Sequence, residues 1–209
     1  MLNIVITTYN KAGYIEQLLD SLYNQTNNEN IAVYCVDDNS TDQTKEIIKN
    51  HLISKRDNFS LIENDSNKWV SYGRNIGIAK SNQEDWLTYI DGDDWVAPNY
   101  IETLLSYIKD TSNDVYVFDY NIDPVDGSDP DEIEKVGHPS CWQMIYKVSF
   151  LKDNKIAFKD KYKIQGFGED EDFFNQIQDC NAKISYTNDI IYNYHWGIPD
   201  SLSNIHIEL

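Results

Sequence analysis

The chain has 209 residues, a length that suits one domain with a substantial core. Asp and Glu total 35 against 17 Lys and Arg, so the formal net charge is −18. That charge excludes a protein that grips nucleic acid or anionic lipid by electrostatics alone, and any phosphate it handles calls for a metal ion or a few placed cations. Hydrophobic residues at 41% and charged residues at 25% fit a folded chain rather than a disordered one. There is no long apolar run, and the start MLNIVITTYN lacks the basic region of a secretory signal. Cys35, Cys141 and Cys180 stand far apart with no CxxC pair, which fits reduced thiols rather than a zinc site. The expectation is a cytoplasmic protein without a transmembrane segment, peripheral to a membrane only through a partner.

Leu2–Thr7 reads as a short buried strand. Ile15, Leu18, Leu19 and Leu22 then recur at helical spacing. Ile31–Val36 is a second strand, and Ser40 with Gln43 resembles a capping box opening a helix with Ile47, Ile48 and Leu52. Phe59–Ile62 is a third strand, Arg74–Lys80 a short helix, and Trp86–Ile90 a fourth strand followed by DGDDW. Pro98 sits just inside a helix bearing Ile101, Leu104, Leu105 and Ile108, and Val115–Phe118 is a fifth strand. Asp119–Pro139, acidic and proline-bearing, reads as a long loop or short hairpin. Trp142–Leu151 reads as helical, Gly166–Gly168 as a turn, Asp172–Ile177 as the opening of a helix, and Ile184–Tyr186 and Ile190–Tyr194 as late strands. Strands alternating with helices predict a single α/β domain over residues 1–209, Rossmann-like, with a mostly parallel central sheet flanked by helices.

In open α/β sheets, ligands bind beyond the carboxyl ends of the strands. Thr7, Thr8, Tyr9 and Asn10 follow the first strand, Asp37 and Asp38 the second, and Asp91, Gly92, Asp93 and Asp94 the fourth. DGDD admits two readings. Asp-Gly is a strong turn signal, but hard divalent cations take carboxylate oxygens, and three acids in four residues repel unless a cation intervenes. Its place at a strand end favours the metal. Of Asp37 and Asp38, one acid is accounted for by a turn and helix cap, leaving the other to accept hydrogen bonds from a base or ribose. Tyr9 either lines the core or stacks on a planar base. In GEDEDFF, acids suit a first helical turn, while Asp170 also suits a general base. His195 has a structural reading beside a phosphate or metal contact.

Taken together, IVITTYNKAGYIEQLLDSLYNQT, VDDNSTDQT, the RNIG of residues 74–77, the YIDGDDW of residues 89–95 and GEDEDFF resemble the family 2 glycosyltransferases of GT-A fold. WQMIYKVSFLKDNKIAF resembles the family's acceptor-side segment, and YNYHWGIPDSLSN its C-terminal tail. The resemblance implies nucleotide and ribose contacts at Thr7, Tyr9 and Asp38, with Asp37 alongside. It implies that Arg74 reaches the nucleotide, that Asp91 lies near the ribose, and that Mn²⁺ or Mg²⁺ sits on Asp93, with Asp94 and His195 as further candidate ligands. Asp170 matches the catalytic base, with Glu169 its partner, and residues 1–118 would then form the nucleotide-sugar-binding half and 119–209 the acceptor-side and catalytic-base half. The implied activity is inverting transfer from a nucleoside-diphosphate sugar, UDP being the nucleotide the resemblance favours, to a hydroxyl of a glycan or other acceptor. Trp142, Trp196 and the loop 119–139 would shape the acceptor side, although Trp142 suits a core equally. The rival readings are a sugar-phosphate nucleotidyltransferase, which normally opens on a Gly-rich loop that ITTYNKAGY lacks, and a non-catalytic sugar-nucleotide-binding module, which has no use for both DGDD and GEDED.

Overall fold

The computed structural model describes residues 1–133, 137–160 and 168–198. The strands are β1 (Leu2–Thr8), β2 (Ile31–Asp37), β3 (Phe59–Glu63), β4 (Trp86–Asp91), β5 (Trp95–Val96), β6 (Val115–Pro124), β7 (Met144–Lys147) and β8 (Ile184–Trp196). The helices are α1 (Ile15–Tyr23), α2 (Thr44–Asn50), α3 (Trp69–Lys80), α4 (Tyr100–Tyr107), α5 (Val148–Asp153) and α6 (Glu169–Asp179). One eight-stranded sheet runs in the order β3-β2-β1-β4-β7-β6-β8-β5. β3, β2, β1 and β4 are parallel, as are β6 and β8; β7 is antiparallel to both its neighbours, and β5 to β8. The sheet therefore carries the predicted parallel half and continues into residues 119–198 without a break.

Side-chain alternation along β1 divides the core into two layers. Leu2, Ile4 and Ile6 pack with Leu18, Leu19 and Leu22 of α1 and Ile101 and Leu104 of α4. Val5, on the other face, packs with Ile78 of α3, Leu151 of α5 and Phe173 and Ile177 of α6. Helices thus cover both faces of the sheet, and its buried strands read as near-continuous apolar runs. Gly77 lets α3 lie directly on β1, because a Cβ there would collide with the Val5 side chain.

Five elements depart from the sequence-based expectation. Trp142–Leu151 is not one helix but a 3-10 turn at 141–143, then β7, then α5. Met144, Ile145 and Tyr146 are all fully buried, and a short run buried on both faces has no periodicity to separate strand from helix. The acidic segment after Phe118 continues β6 to Pro124 because β8 pairs with it, and β8 is one strand rather than two, with register shifts opposite Val117–Tyr120. Helix α3 begins at Trp69, a turn before the expected Arg74, because its leading N–H groups are capped from outside the helix by Asp38. Ser40 caps no helix: α2 begins at Thr44, and the Ser40 Oγ instead accepts from the backbone N–H of Asn10 at 2.9 Å. Cys35 and Cys141 are buried free thiols, and Cys180 is a partly buried one. Among the described residues, no helix is long and apolar enough to cross a membrane.

Candidate functional site

The carboxyl ends of β1, β2 and β4 are adjacent, with Thr8 opposite Asp37 and Thr7 opposite Asp91. Two loops are stitched together there. Besides the Asn10 contact, the Lys11 N–H donates to Thr44 Oγ1 at 2.8 Å, the Ala12 N–H to Asp42 at 3.1 Å, and the Thr41 N–H to Asn10 Oδ1 at 2.8 Å. The NSTDQT sequence therefore braces the loop that follows β1. Asp37 Oδ2 accepts from the Ser40 N–H at 2.9 Å, while its Oδ1 is buried without a hydrogen-bond partner among the described residues. Asp38 accepts from Asn64 Nδ2 at 2.7 Å and from the N–H groups of Lys68 and Trp69 at 2.8 and 2.7 Å. Those bonds hold Trp69 at φ 71°, a left-handed conformation that costs a non-glycine residue about 1–2 kcal/mol. The two aromatic residues beside this acid pair, Tyr9 and Trp69, are 40% and 41% exposed.

The centre of the site is Arg74, on α3 and only 3% exposed. Nη1 donates to Glu169 Oε1 at 3.0 Å and to Asp170 Oδ1 at 2.9 Å, and Nη2 to Asp91 Oδ1 at 3.1 Å. Thr7 Oγ1 also donates to Asp91 Oδ1, at 3.2 Å, and the Cys141 N–H donates to Asp170 Oδ2 at 3.2 Å. One guanidinium thus neutralises one of three carboxylates drawn from β4 and α6. Burial pushes the Glu169 carboxyl up, the neighbouring Asp170 charge adds to the rise, and Arg74 opposes it. Asp91 is raised by burial and by Asp93 and Asp170, again against the pull of Arg74. For Arg74 itself desolvation favours the neutral form, but the surrounding carboxylates outweigh it and hold the guanidinium firmly charged. Asn75 faces elsewhere, exchanging hydrogen bonds with the backbone of Phe158 at 2.8 and 3.0 Å.

In the DGDD turn, Gly92 is a packing requirement: its Cα meets β1 so closely that a Cβ would lie 2.7 Å from Thr8 Cβ. Asp93 and Asp94 then diverge. Asp93 Oδ2 lies 2.6 Å from Lys11 Nζ, and both side chains keep some exposure. Asp94 is 1% exposed, and both its oxygens are committed: Oδ2 accepts from the Tyr192 hydroxyl at 2.6 Å and Oδ1 from the His195 N–H at 2.9 Å. Burial and the Asp93 and Asp91 charges push the Asp94 carboxyl well up. His195 is buried, its Nδ1 against the Asp93 carbonyl oxygen and its Nε2 3.1 Å from Asp123 Oδ2.

Among the described residues no cluster of three His, Cys, Asp or Glu side chains could hold a metal by itself. A lone carboxylate nonetheless fits a magnesium-type ion whose remaining ligands are substrate phosphate oxygens and water. The Lys11 ammonium at Asp93 shows that this carboxylate already accommodates a cation.

The structure thus gathers Thr7, Arg74, Asp91, Glu169 and Asp170 in one hydrogen-bonded group, with Asp93, Asp94 and His195 around the adjoining turn and Asp37, Asp38 and Tyr9 on its β2 side. Trp142 lies in the core, stacked on Tyr192 and Tyr194 with ring centroids 4.5 and 5.3 Å apart. Gly166 and Phe167, from the expected turn, lie outside the described residues. Sequence reasoning missed Lys11, Trp69, Tyr192, Asp123 and the Cys141 N–H. Lys11 alone left a signal, as a lone basic residue in the loop after the first strand.

The family description "Glycosyl transferase family 2" matches residues 3–166, and the chain belongs to that family. It is 28% identical over 92% of its length to glycosyltransferase GlyA of Streptococcus pneumoniae, covering 30% of that protein. It is likewise 28% identical over 92% of its length to the poly(ribitol-phosphate) beta-glucosyltransferase of Bacillus spizizenii, covering 32% of it. S. aureus TarS 1–349 in complex with UDP superposes with TM-score 0.74 at 25% identity, over 93% of this chain and 60% of that one. The chain spans about a third of the length of those two relatives.

Proposed function

We propose that the chain transfers a sugar from a UDP-sugar to an acceptor hydroxyl, with inversion and with help from a divalent cation. The observation that carries this reading is Arg74, which binds Asp91 at the strand end and Asp170 on α6 with one guanidinium. A carboxylate suited to take up an acceptor proton thereby stands next to the edge of the sheet where nucleotides bind in α/β folds.

UDP is supported by the likeness to TarS, and the surroundings of Asp37 suit a base. The unpartnered Asp37 Oδ1 can accept from a ring N–H, and Tyr9 and Trp69 offer exposed rings for stacking. Asp38 acts here by fixing the backbone of residues 64–69 rather than by contacting ribose directly. Asp170 is the general base. Its oxygens accept one hydrogen bond each from Arg74 and the Cys141 N–H, which fix the carboxylate plane and leave lone pairs for the hydroxyl proton. Glu169 shares the guanidinium and sets the charge around the base. Asp93 is the metal ligand, and Mn²⁺ or Mg²⁺ held between it and the donor's phosphates would offset charge on the leaving diphosphate. Lys11 would then turn its ammonium to the diphosphate. Asp94 and His195 hold the turn in shape instead of ligating.

The first test is calorimetric titration of UDP with and without Mn²⁺. Metal-dependent binding that is lost in Asp93→Ala is expected; absence of UDP binding under both conditions would remove the donor assignment.

A further inference from the structure

Asp170 Oδ2 takes its hydrogen bond from a backbone group, the Cys141 N–H at 3.2 Å, so the aim of the carboxylate depends on how that peptide is held. Cys141 opens the 3-10 turn Cys141–Gln143. The first N–H groups of a helical turn have no partner within it, which leaves this one to point outward at α6. The turn is closed locally by the Ser140 N–H, which donates to Gln143 Oε1 at 2.9 Å, and by the Gln143 N–H, which donates to the Ser140 carbonyl at 3.0 Å. A second anchor is the Trp142 ring, stacked on Tyr192. The third comes from β7. The Tyr146 hydroxyl donates to the Cys141 carbonyl at 2.9 Å, and Tyr146 is fully buried. Burial pushes that hydroxyl well up, so it stays a donor near neutral pH. The Tyr146 ring also meets Phe173 edge-on, with centroids 5.5 Å apart, one turn of α6 beyond Asp170. A single side chain therefore touches both members of the Cys141–Asp170 contact, the turn through its hydroxyl and the helix through its ring.

We propose that Tyr146 is a positioning residue for the base: acting through Cys141, it holds the N–H that orients the Asp170 carboxylate. The proposal rests on the transferase reading above. Without the hydroxyl, the Cys141 carbonyl loses its buried partner, which disfavours this setting of the turn. The groups assigned to the donor stand on β2, α3 and the loops after β1 and β4, so the loss leaves them in place. Among the described residues, the titratable groups around Asp170 are Arg74 on α3, Tyr89 and Asp91 on β4, Glu169 on α6, the Cys141 thiol and Tyr146 itself. Tyr146→Phe changes the charge of none of them.

That variant keeps the ring and removes only the hydroxyl. Its control is Tyr100→Phe, which removes an equally buried hydroxyl from the other core layer, where it meets Thr88 Oγ1 at 3.1 Å. The first readout, on the whole chain, is the NMR resonance of the Cys141 amide proton, which lies downfield while it donates to a carboxylate. It should move upfield in Tyr146→Phe and stay in Tyr100→Phe. The second is steady-state consumption of whichever of UDP-glucose, UDP-galactose and UDP-N-acetylglucosamine the wild type uses fastest. In Tyr146→Phe, kcat should fall by about tenfold while the donor KM stays within about twofold. The acid limb of kcat should move to higher pH, because a carboxylate that has lost a donor protonates more readily. Tyr100→Phe should change neither. An unmoved Cys141 amide in Tyr146→Phe would overturn the proposal, and so would an unchanged kcat or equal losses in the two variants. Should the wild type consume none of the three donors, the transferase reading falls and the amide alone decides whether Tyr146 aims Asp170.

Discussion

Arg74 Nη1 lies 2.9 Å from Asp170 Oδ1, joining α3 to the first turn of α6 across 96 positions of sequence. The guanidinium has almost no contact with solvent and spans three partly buried carboxylates, so its removal leaves them facing one another without a cation. Breaking such a group from one side costs about 3–5 kcal/mol. Arg74→Met should therefore lower stability by about that amount in urea unfolding near neutral pH.

The loss should depend on pH in a fixed direction. The folded value of Glu169 is already raised above its ordinary 4.5 by burial and by Asp170. A raised carboxyl binds its proton more tightly in the folded chain, so its contribution is fully present below the unfolded value and is lost as pH rises through the folded one. Without Arg74 the rise is larger, so the gap between variant and wild type should narrow as pH falls from neutral towards 4.5. An equal gap at every pH would mean that the guanidinium acts by packing instead.

The two acids that end DGDD should separate cleanly on mutation. Asp94→Ala strands the Tyr192 hydroxyl and the His195 N–H in the core, at a cost of about 2–4 kcal/mol. Asp93→Ala removes a partly exposed partner of Lys11 and should cost about 1 kcal/mol or less, yet abolish Mn²⁺-dependent UDP binding. Thermal unfolding of the two variants beside UDP calorimetry checks both halves. A destabilised Asp93→Ala with metal dependence intact would reverse the assignment.

That division between Asp93 and Asp94 was not legible in the string, and the reason is general. Local physics was readable: β-branched runs such as Leu2–Thr7, the 3.6-residue recurrence of Leu18, Leu19 and Leu22, and acids gathered after successive strands. What failed depended on partners distant in sequence. Asp94 turns inward because Tyr192, 98 positions later, donates to it, and α3 starts early because Asp38 caps it from 31 positions before Trp69. Arg74 matched a motif residue that reaches the nucleotide, but its burial among carboxylates depends on where α6 docks. The strand β7 was hidden for the opposite reason, since burial on both faces erases the alternation that would have marked it.

The Lys11 ammonium holds Asp93 Oδ2 at 2.6 Å, so under the metal role proposed for Asp93 it would compete with a divalent cation for that carboxylate. Lys11→Met should tighten Mn²⁺ binding in the absence of nucleotide by about tenfold, read by electron paramagnetic resonance of free Mn²⁺. The same variant should bind UDP more weakly without metal, because a cation near the phosphates has gone. Unchanged Mn²⁺ affinity would show that the pair is a surface contact with no bearing on the metal.

Under the base role proposed for Asp170, Asp170→Asn should isolate the proton-transfer step. The amide keeps the carboxylate's shape, and its oxygen can still accept from Arg74 or from the Cys141 N–H, so α6 should stay docked. What it loses is the basic oxygen, and general-base catalysis contributes about 10²–10⁴ in rate. UDP affinity should be unchanged and sugar transfer should fall by at least about a hundredfold, with hydrolysis of the donor measured alongside. Glu169→Gln, whose side chain shares Nη1 with Asp170 but is assigned no proton transfer, should reduce turnover less and shift its pH profile. If Asp170→Asn loses UDP binding and transfer together, the residue serves the donor site and the base lies elsewhere. If Glu169→Gln is the deeper lesion, the base is Glu169, whose raised proton affinity already suits it to receive one.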